Sequence, residues 1–319
     1  MTETNLKKIW PALKTQVSLA TLTTFRTGGR APFYLAVTDK HSLVETVEKA
    51  TVAKIPYTIL AGGSNVVFPD RLPKRLYLHY SVNSLAKGAV TVGPAGEVYA
   101  EAGLPLASLI KKAIKAGQAG LEALSGIPGT VGGAVVGNAG AYGQSISDHL
   151  LAIEIFDGQK IRWISKAAGR FGYRDSVFKH QSWLVLGVKF KLTKGEPRAL
   201  AKKSRQIIKI REAKYKPGLA CPGSYFKNPL VKQVSVRALK LIDPTKIIDG
   251  KIPAGYLLET VGARGLKQGQ IAVADFHGNL VMNLGGGKAS DATKLATRLK
   301  QKVYQRFGIT LEEEVRFLP

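Results

Sequence analysis

Three short stretches carry the residues best suited to chemistry: "TFRTGGRA" (Thr24 to Ala31), "LAGGSN" (Leu60 to Asn65) and "SGIPGTVGGAVVGNAGAYG" (Ser125 to Gly143). The last places seven glycines among nineteen residues, a concentration that raises the backbone entropy lost on folding. It is expected where a chain turns left-handed or lets something approach closely. Amide N–H groups cleared of side chains form an anion nest, and a dinucleotide's diphosphate needs more than one such contact. Tight turns and close helix packing are the competing reasons for either loop taken alone. The spacing does not fit the G-x-G-x-x-G of a Rossmann turn. It does not fit a phosphate loop at "NLGGGKAS" either, where Met282 stands five before Gly287 and Ala289 follows Lys288. One cysteine, Cys221, excludes an internal disulfide. His41, His79, His149, His180 and His277 form no pair at metal-ligand spacing, so no metal is expected.

The elements that must position these loops follow from periodicity. A strand at Phe33–Val37 leads to a helix capped by Ser42 with Glu45 completing a capping box, then to a strand ending at Ala61. Short strands follow in "RLYLHY" and "AVTVG", and an amphipathic helix in "LPLASLIKKAIKAG" precedes the glycine block. Strands return in "LAIEIFDGQKIRWI" and "SWLVLGVKFKL". A basic helix after Gly195, stopped by Pro217, reads as a linker to a second region. There Ser290 is placed to cap a helix with Leu295, Leu299, Val303 and Phe307 on one face, ended by Gly308. In the last strand, "ITLEEEVRFLP", Leu311, Val315 and Phe317 share one face, and Glu314 and Arg316 the other. The order argues an α+β protein of at least two domains.

Composition narrows the class. The 319 residues are 45% hydrophobic and 22% charged, the balance of a folded chain large enough to bury its own core. No run of about 18 apolar residues and no signal-peptide core occurs, so a cytoplasmic protein without membrane association is expected. The formal charge of +25 concentrates anions. Much of it lies in "RALAKKSRQIIKIREAKYK" (Arg198 to Lys216), open to three readings: a solvated face, a nucleic-acid surface, or a funnel for phosphorylated small molecules. No nucleic-acid-binding motif is present, so no specific nucleic-acid partner is expected.

Seven blocks in order, "TFRTGGRA", "ILAGGSN", "GLEALSGIPGTVGGAVVGNAGAYG", "FGYRDSVFK", "CPGSYFKNP", "IPAGYLLETVGARGLKQGQIAV" and "GITLEEEVRFL", closely resemble the UDP-N-acetylenolpyruvoylglucosamine reductase family over nearly the whole chain. The short span from Tyr173 to Ser224 resembles the compact branch, without the insertion that another branch carries over its substrate. The resemblance implies an FAD-binding fold of the p-cresol methylhydroxylase (PCMH) type. Its two α+β subdomains would span about 20–71 and 72–195. The linker helix and a C-terminal α+β substrate-binding domain would span 196–319, the last strand returning to the active site. It also implies non-covalent FAD, NADPH as reductant, a UDP-sugar substrate, a role in bacterial cell-wall synthesis, and no obligate protein partner.

Residue by residue, the resemblance implies that Arg174, Ser224 and Glu314 are catalytic. Arg174 would hold a carboxylate that gains charge, Ser224 would protonate C2, and Glu314 would either donate a hydrogen bond or orient its neighbours. The implied FAD contacts are Arg26, Gly28, Gly62, Gly63, Ser64, Asn65, Ser125, Gly126, Pro128, Gly129, Thr130, Gly132, Gly133, Asn138, Gly140, Ala141 and Tyr142. Tyr142 can equally fill a core. The implied substrate contacts are Arg211, Lys214, Asn228, His277 and Asn279. Two other readings stand beside this one: an oxidase or dehydrogenase of the same fold, and a basic nucleotide-binding protein without catalysis.

Overall fold

The computed structural model describes residues 2–319 and divides into two compact units that do not follow chain order. The first comprises 2–15, Phe33–Gly62 and Lys74–Ala213; the second comprises Gln16–Pro32, Gly63–Pro73 and Lys214–Pro319. In this division the basic helix falls with the first unit up to Ala213, and two N-terminal stretches join the C-terminal unit. Sequence order hides this, because those stretches are stitched into place by side chains far along the chain.

In the first unit, a three-stranded parallel sheet has Leu76–Tyr80 between Phe33–Val37 and Tyr57–Leu60. The helix Lys40–Val52 connects the outer two. Its cap is Asp39, three residues before the expected Ser42: the Asp39 carboxylate accepts from the amides of His41 and Ser42 and from the Ser42 hydroxyl. A five-stranded antiparallel sheet runs in the order Ile161–Ser165, Leu150–Phe156, Leu184–Lys191, Glu97–Glu101, Val90–Val92. Its inward side chains, among them Ile153, Val188, Phe190 and Val98, are fully buried. The helix Leu106–Lys115 places Leu106, Leu109, Ile110 and Ala113 in the same core.

In the second unit, the antiparallel strands Ile271–Ala274 and His277–Asn283 share a core with the helices Ala254–Thr260 and Ala289–Phe307. Leu295, Leu299, Val303 and Phe307 are buried as their spacing requires, and Gly308, at φ 68°, ends the long helix. Its cap comes from outside: Asp70 accepts from the amides of Ala289 and Ser290 and from the Ser290 hydroxyl. The expected final strand is shorter than its alternation suggests. Arg316–Phe317 pairs parallel to Val66–Val67, Glu313 makes an isolated bridge to Phe226, and Phe317 is exposed while Leu311 and Val315 are buried. A bend at Glu314–Val315 breaks the alternation. No helix among the described residues is long and apolar enough to cross a membrane.

Candidate active site

The glycine block of the first unit is shaped by backbone meeting backbone. A Cβ on Gly62 would lie 2.6 Å from the Cα of Gly129, and one on Gly132 2.8 Å from the Cβ of Ala102. Gly126 and Gly129 adopt φ values of 76° and 113°, open to glycine alone at low strain. Among the described residues, no hydrogen-bond acceptor meets the amides of Gly126, Gly129 and Thr130. The first helical amides that follow are already occupied: Val131 donates to the Leu104 carbonyl, Gly132 to the Ala102 carbonyl, and Gly133 to the Thr130 hydroxyl. The loop, and not the helix end, thus keeps amides open to an anion, and a diphosphate-bearing cofactor fits there. Gly126 and Pro128 are exposed beside it.

Ser125 and Arg211 serve this loop from behind. Ser125 is buried and its hydroxyl lies 2.8 Å from that of Ser204, while Arg211 stands against Gly126 with its Cδ 3.3 Å from an added Cβ. Both Ser204 and Arg211 lie on the basic helix Pro197–Lys214, which therefore packs its inner face on the glycine block. At the end of the block, Gly140–Ala141 pairs with Gln144–Ser145 across a two-residue turn, Tyr142 and Gly143, both at positive φ (51° and 79°). Tyr142 is 50% exposed, so it fills no core.

Arg174 sits in a tight turn bridged from Gly172 to Asp175, at φ 55°. Three bonds bind this turn to the end of the glycine block: Asn138 Nδ2 to the Gly172 carbonyl (2.7 Å), Arg174 Nη2 to the Gly140 carbonyl (2.6 Å), and Ser176 Oγ to the Val136 carbonyl (2.7 Å). Asn138 itself is buried at φ 41°. Left-handed conformations at non-glycine residues are uncommon and mark sites where surrounding structure imposes them. Arg26, Asn138, Tyr142 and Arg174, all among the sequence candidates, adopt them here.

In the second unit, Ser224 and Glu314 lie on neighbouring backbone. Ser224 bridges to Leu280, the Tyr225 carbonyl accepts from the Glu314 amide (2.8 Å), and Phe226 bridges to Glu313. The Ser224 hydroxyl is 2.9 Å from the phenol of Tyr215. The three consecutive acids separate clearly. Glu312 pairs with Lys227 and Glu313 with Lys300, and the Glu314 carbonyl accepts from Asn65 Nδ2 at 3.1 Å. The "GGSN" loop also serves this unit: Gly63, at φ 59°, abuts the Leu22 carbonyl, and Ser64 accepts from the Thr24 hydroxyl. Gly28, at φ 122°, lies against Phe68, and the carbonyls of Phe25 and Arg26 accept from Asn283 Nδ2.

The remaining expected substrate contacts divide. Lys214 lies over the Tyr215 ring, its Nζ 5.1 Å from the centroid. Asn228 accepts from the Ala254 amide and so caps a helix. Asn279 departs from expectation. It is 3% exposed, and both ends of its amide are bound to Phe226, accepting from its N–H and donating to its carbonyl at 2.8 Å each. Its amide fixes the segment that follows Ser224. Asn279→Ala leaves both Phe226 groups buried and unsatisfied, at about 2–5 kcal/mol of stability, readable by denaturant unfolding; a loss under about 0.5 kcal/mol contradicts this role.

His277 is an uncharged imidazole at neutral pH. Burial, reinforced by the charge of Lys214 and opposed by Glu259, pushes its pKa down to about 4. The folded value lies below the unfolded one, near 6.5, so the unfolded chain binds the extra proton first. Stability contributed by this residue is complete above about pH 6.5 and lost as the pH falls towards 4. His277→Gln is expected to flatten that limb of a plot of melting temperature against pH, and an unchanged limb contradicts the assignment.

Sequence reasoning missed Tyr215, Asn283 and Asp70. Tyr215 carried a signal only in its nearness to the serine block; the other two act through contacts with residues hundreds of positions away.

The profile described as "UDP-N-acetylenolpyruvoylglucosamine reductase, C-terminal domain" matches residues 216–318, and that described as "FAD binding domain" matches residues 31–160. The UDP-N-acetylenolpyruvoylglucosamine reductase of Solibacter usitatus is 36% identical, covering 96% of this chain and 97% of its own. That of Rubrobacter xylanophilus is 35% identical, covering 99% and 98%. The crystal structure of the reductase from Thermus caldophilus superposes with a TM-score of 0.72 at 29% identity, over 96% of this chain and 100% of that one.

Proposed function

This chain belongs to the UDP-N-acetylenolpyruvoylglucosamine reductases, and on that premise we propose how its own residues divide the reaction. It is an FAD- and NADPH-dependent oxidoreductase that reduces the enolpyruvyl ether of UDP-N-acetylglucosamine-enolpyruvate to the lactyl ether, giving UDP-N-acetylmuramate for peptidoglycan. Bound flavin supplies the hydride chemistry, with NADPH as the source of the electrons. The amides of Gly126, Gly129 and Thr130 are groups that would hold its pyrophosphate.

Hydride arriving at C3 of the enolpyruvyl group leaves negative charge at C2, delocalised into the carboxylate. Arg174 meets that charge: its guanidinium is a rigid fork of donors with a permanent charge, and its turn is fixed before substrate arrives, as electrostatic stabilisation requires. Ser224 gives the proton to C2. Glu314 completes the polar wall beside Ser224, where its backbone tie to Tyr225 holds it. Lys214, a cation beside the Ser224 segment, suits the substrate's diphosphate. The cytoplasm, which supplies NADPH and nucleotide sugars, is the expected compartment, and loss of activity would halt wall growth and division.

The observation that carries this assignment is the Ser224 hydroxyl held at 2.9 Å by a phenol on the same backbone framework as Glu314. An oxidase of this fold has no carbon to protonate and no use for such a donor. The test is turnover: purified protein with NADPH should convert the enolpyruvyl UDP-sugar to a product two mass units heavier. NADPH oxidation that consumes oxygen and leaves the sugar nucleotide unchanged would favour the oxidase reading.

A further inference from the structure

We infer that Tyr215 is the proton source behind Ser224, an inference that rests on the reductase reading above. A serine hydroxyl is a poor acid, and giving its proton to carbon would leave an alkoxide in a half-buried site. The structure places one acidic O–H against it. Tyr215 Oη lies 2.9 Å from Ser224 Oγ, and a phenol, with an ordinary pKa of about 10, is a far stronger acid than an aliphatic alcohol.

The ring is pinned in this position. Tyr215 packs against the small apolar cluster of Cys221, Ala274 and Leu280, while Ser224 is fixed by its bridge to the same Leu280. Donor and acceptor are therefore referenced to one strand, His277–Asn283. Lys214, whose ammonium lies over the ring, and Cys221, whose thiol pKa burial raises, stand against the tyrosine.

The step balances. As the C2–H bond forms, the Ser224 Oγ–H bond breaks; as Tyr215 Oη–H breaks, Ser224 Oγ–H is restored. The phenolate of the half-buried Tyr215 regains its proton from water. The two electrons come with the hydride of the reaction already assigned, so no further reductant is needed.

The test separates the two half-reactions in the FAD-loaded enzyme. For Tyr215→Phe, flavin reduction by NADPH should stay within twofold of wild type, while re-oxidation by the enolpyruvyl UDP-sugar slows ten- to a hundredfold. A second variant carries 3,5-difluorotyrosine at position 215, which lowers the phenol pKa while keeping the ring. The alkaline limb of the re-oxidation rate should then move to lower pH by the same amount, which a purely structural tyrosine would not produce. Unchanged re-oxidation in Tyr215→Phe, equal loss in both half-reactions, or an unmoved alkaline limb would each overturn the inference. Failure of the reductase reading would look different: the wild-type reduced flavin would itself remain reduced on adding the sugar.

Discussion

Replacing Ser224 with alanine should leave NADPH reduction of the flavin near normal and slow its re-oxidation by the enolpyruvyl UDP-sugar by a factor of about 10²–10⁴, the range typical of a lost general acid. The asymmetry follows from where the hydroxyl is used: only the second half-reaction makes a C–H bond from a proton. Ser224 bridges to Leu280 through its backbone, and Asn279 grips the next residues, so removing one Oγ does not dismantle the segment. Ser224→Cys should recover part of the loss, because a thiol is a stronger acid than an alcohol, though larger and a weaker hydrogen-bond partner for Tyr215. Stopped-flow absorbance of the flavin reads both steps. Loss shared equally between them would show that Ser224 is needed for binding and not for proton delivery.

Gly63→Ala should be the most damaging single methyl group that the cofactor loops can receive. Gly63 combines φ 59° with a neighbour that cannot move aside, the backbone carbonyl of Leu22, and its own carbonyl accepts from the Thr24 amide. The left-handed conformation alone costs an alanine about 1–2 kcal/mol, and displacing the Leu22–Thr24 backbone should bring the total above about 4 kcal/mol. The protein should melt earlier and, where it folds, be isolated without flavin. Gly143→Ala is the control. It has a similar φ of 79° but open space where its Cβ would go, so only the conformational term applies. Equal effects of the two substitutions would show that close approach of backbone is not what selects glycine at position 63.

Much of this was legible in the sequence where the signal is local. The strand Phe33–Val37, the helix faces of Leu106–Lys115 and Ala289–Phe307, and the glycine block all follow from spacing within a few residues. What escaped was set by distant partners. The cap of Ala289–Phe307 is Asp70, more than two hundred residues away, and the N-terminal stretch Gln16–Pro32 joins the C-terminal unit partly through Asn283. The alternation of "ITLEEEVRFLP" suggested one continuous strand, but a bend at Glu314–Val315 interrupts it, a turn that no local spacing announces. Asn279 was legible as a polar residue beside the catalytic blocks, and only burial shows that its amide is engaged by Phe226.

The most direct test of the central claim is an anaerobic single turnover. Enzyme whose flavin has been photoreduced, with no NADPH present, is mixed with one equivalent of the enolpyruvyl UDP-sugar while the flavin band is followed. The assignment predicts full return of the oxidised spectrum and one equivalent of UDP-N-acetylmuramate. A flavin that stays reduced until oxygen is admitted would contradict it.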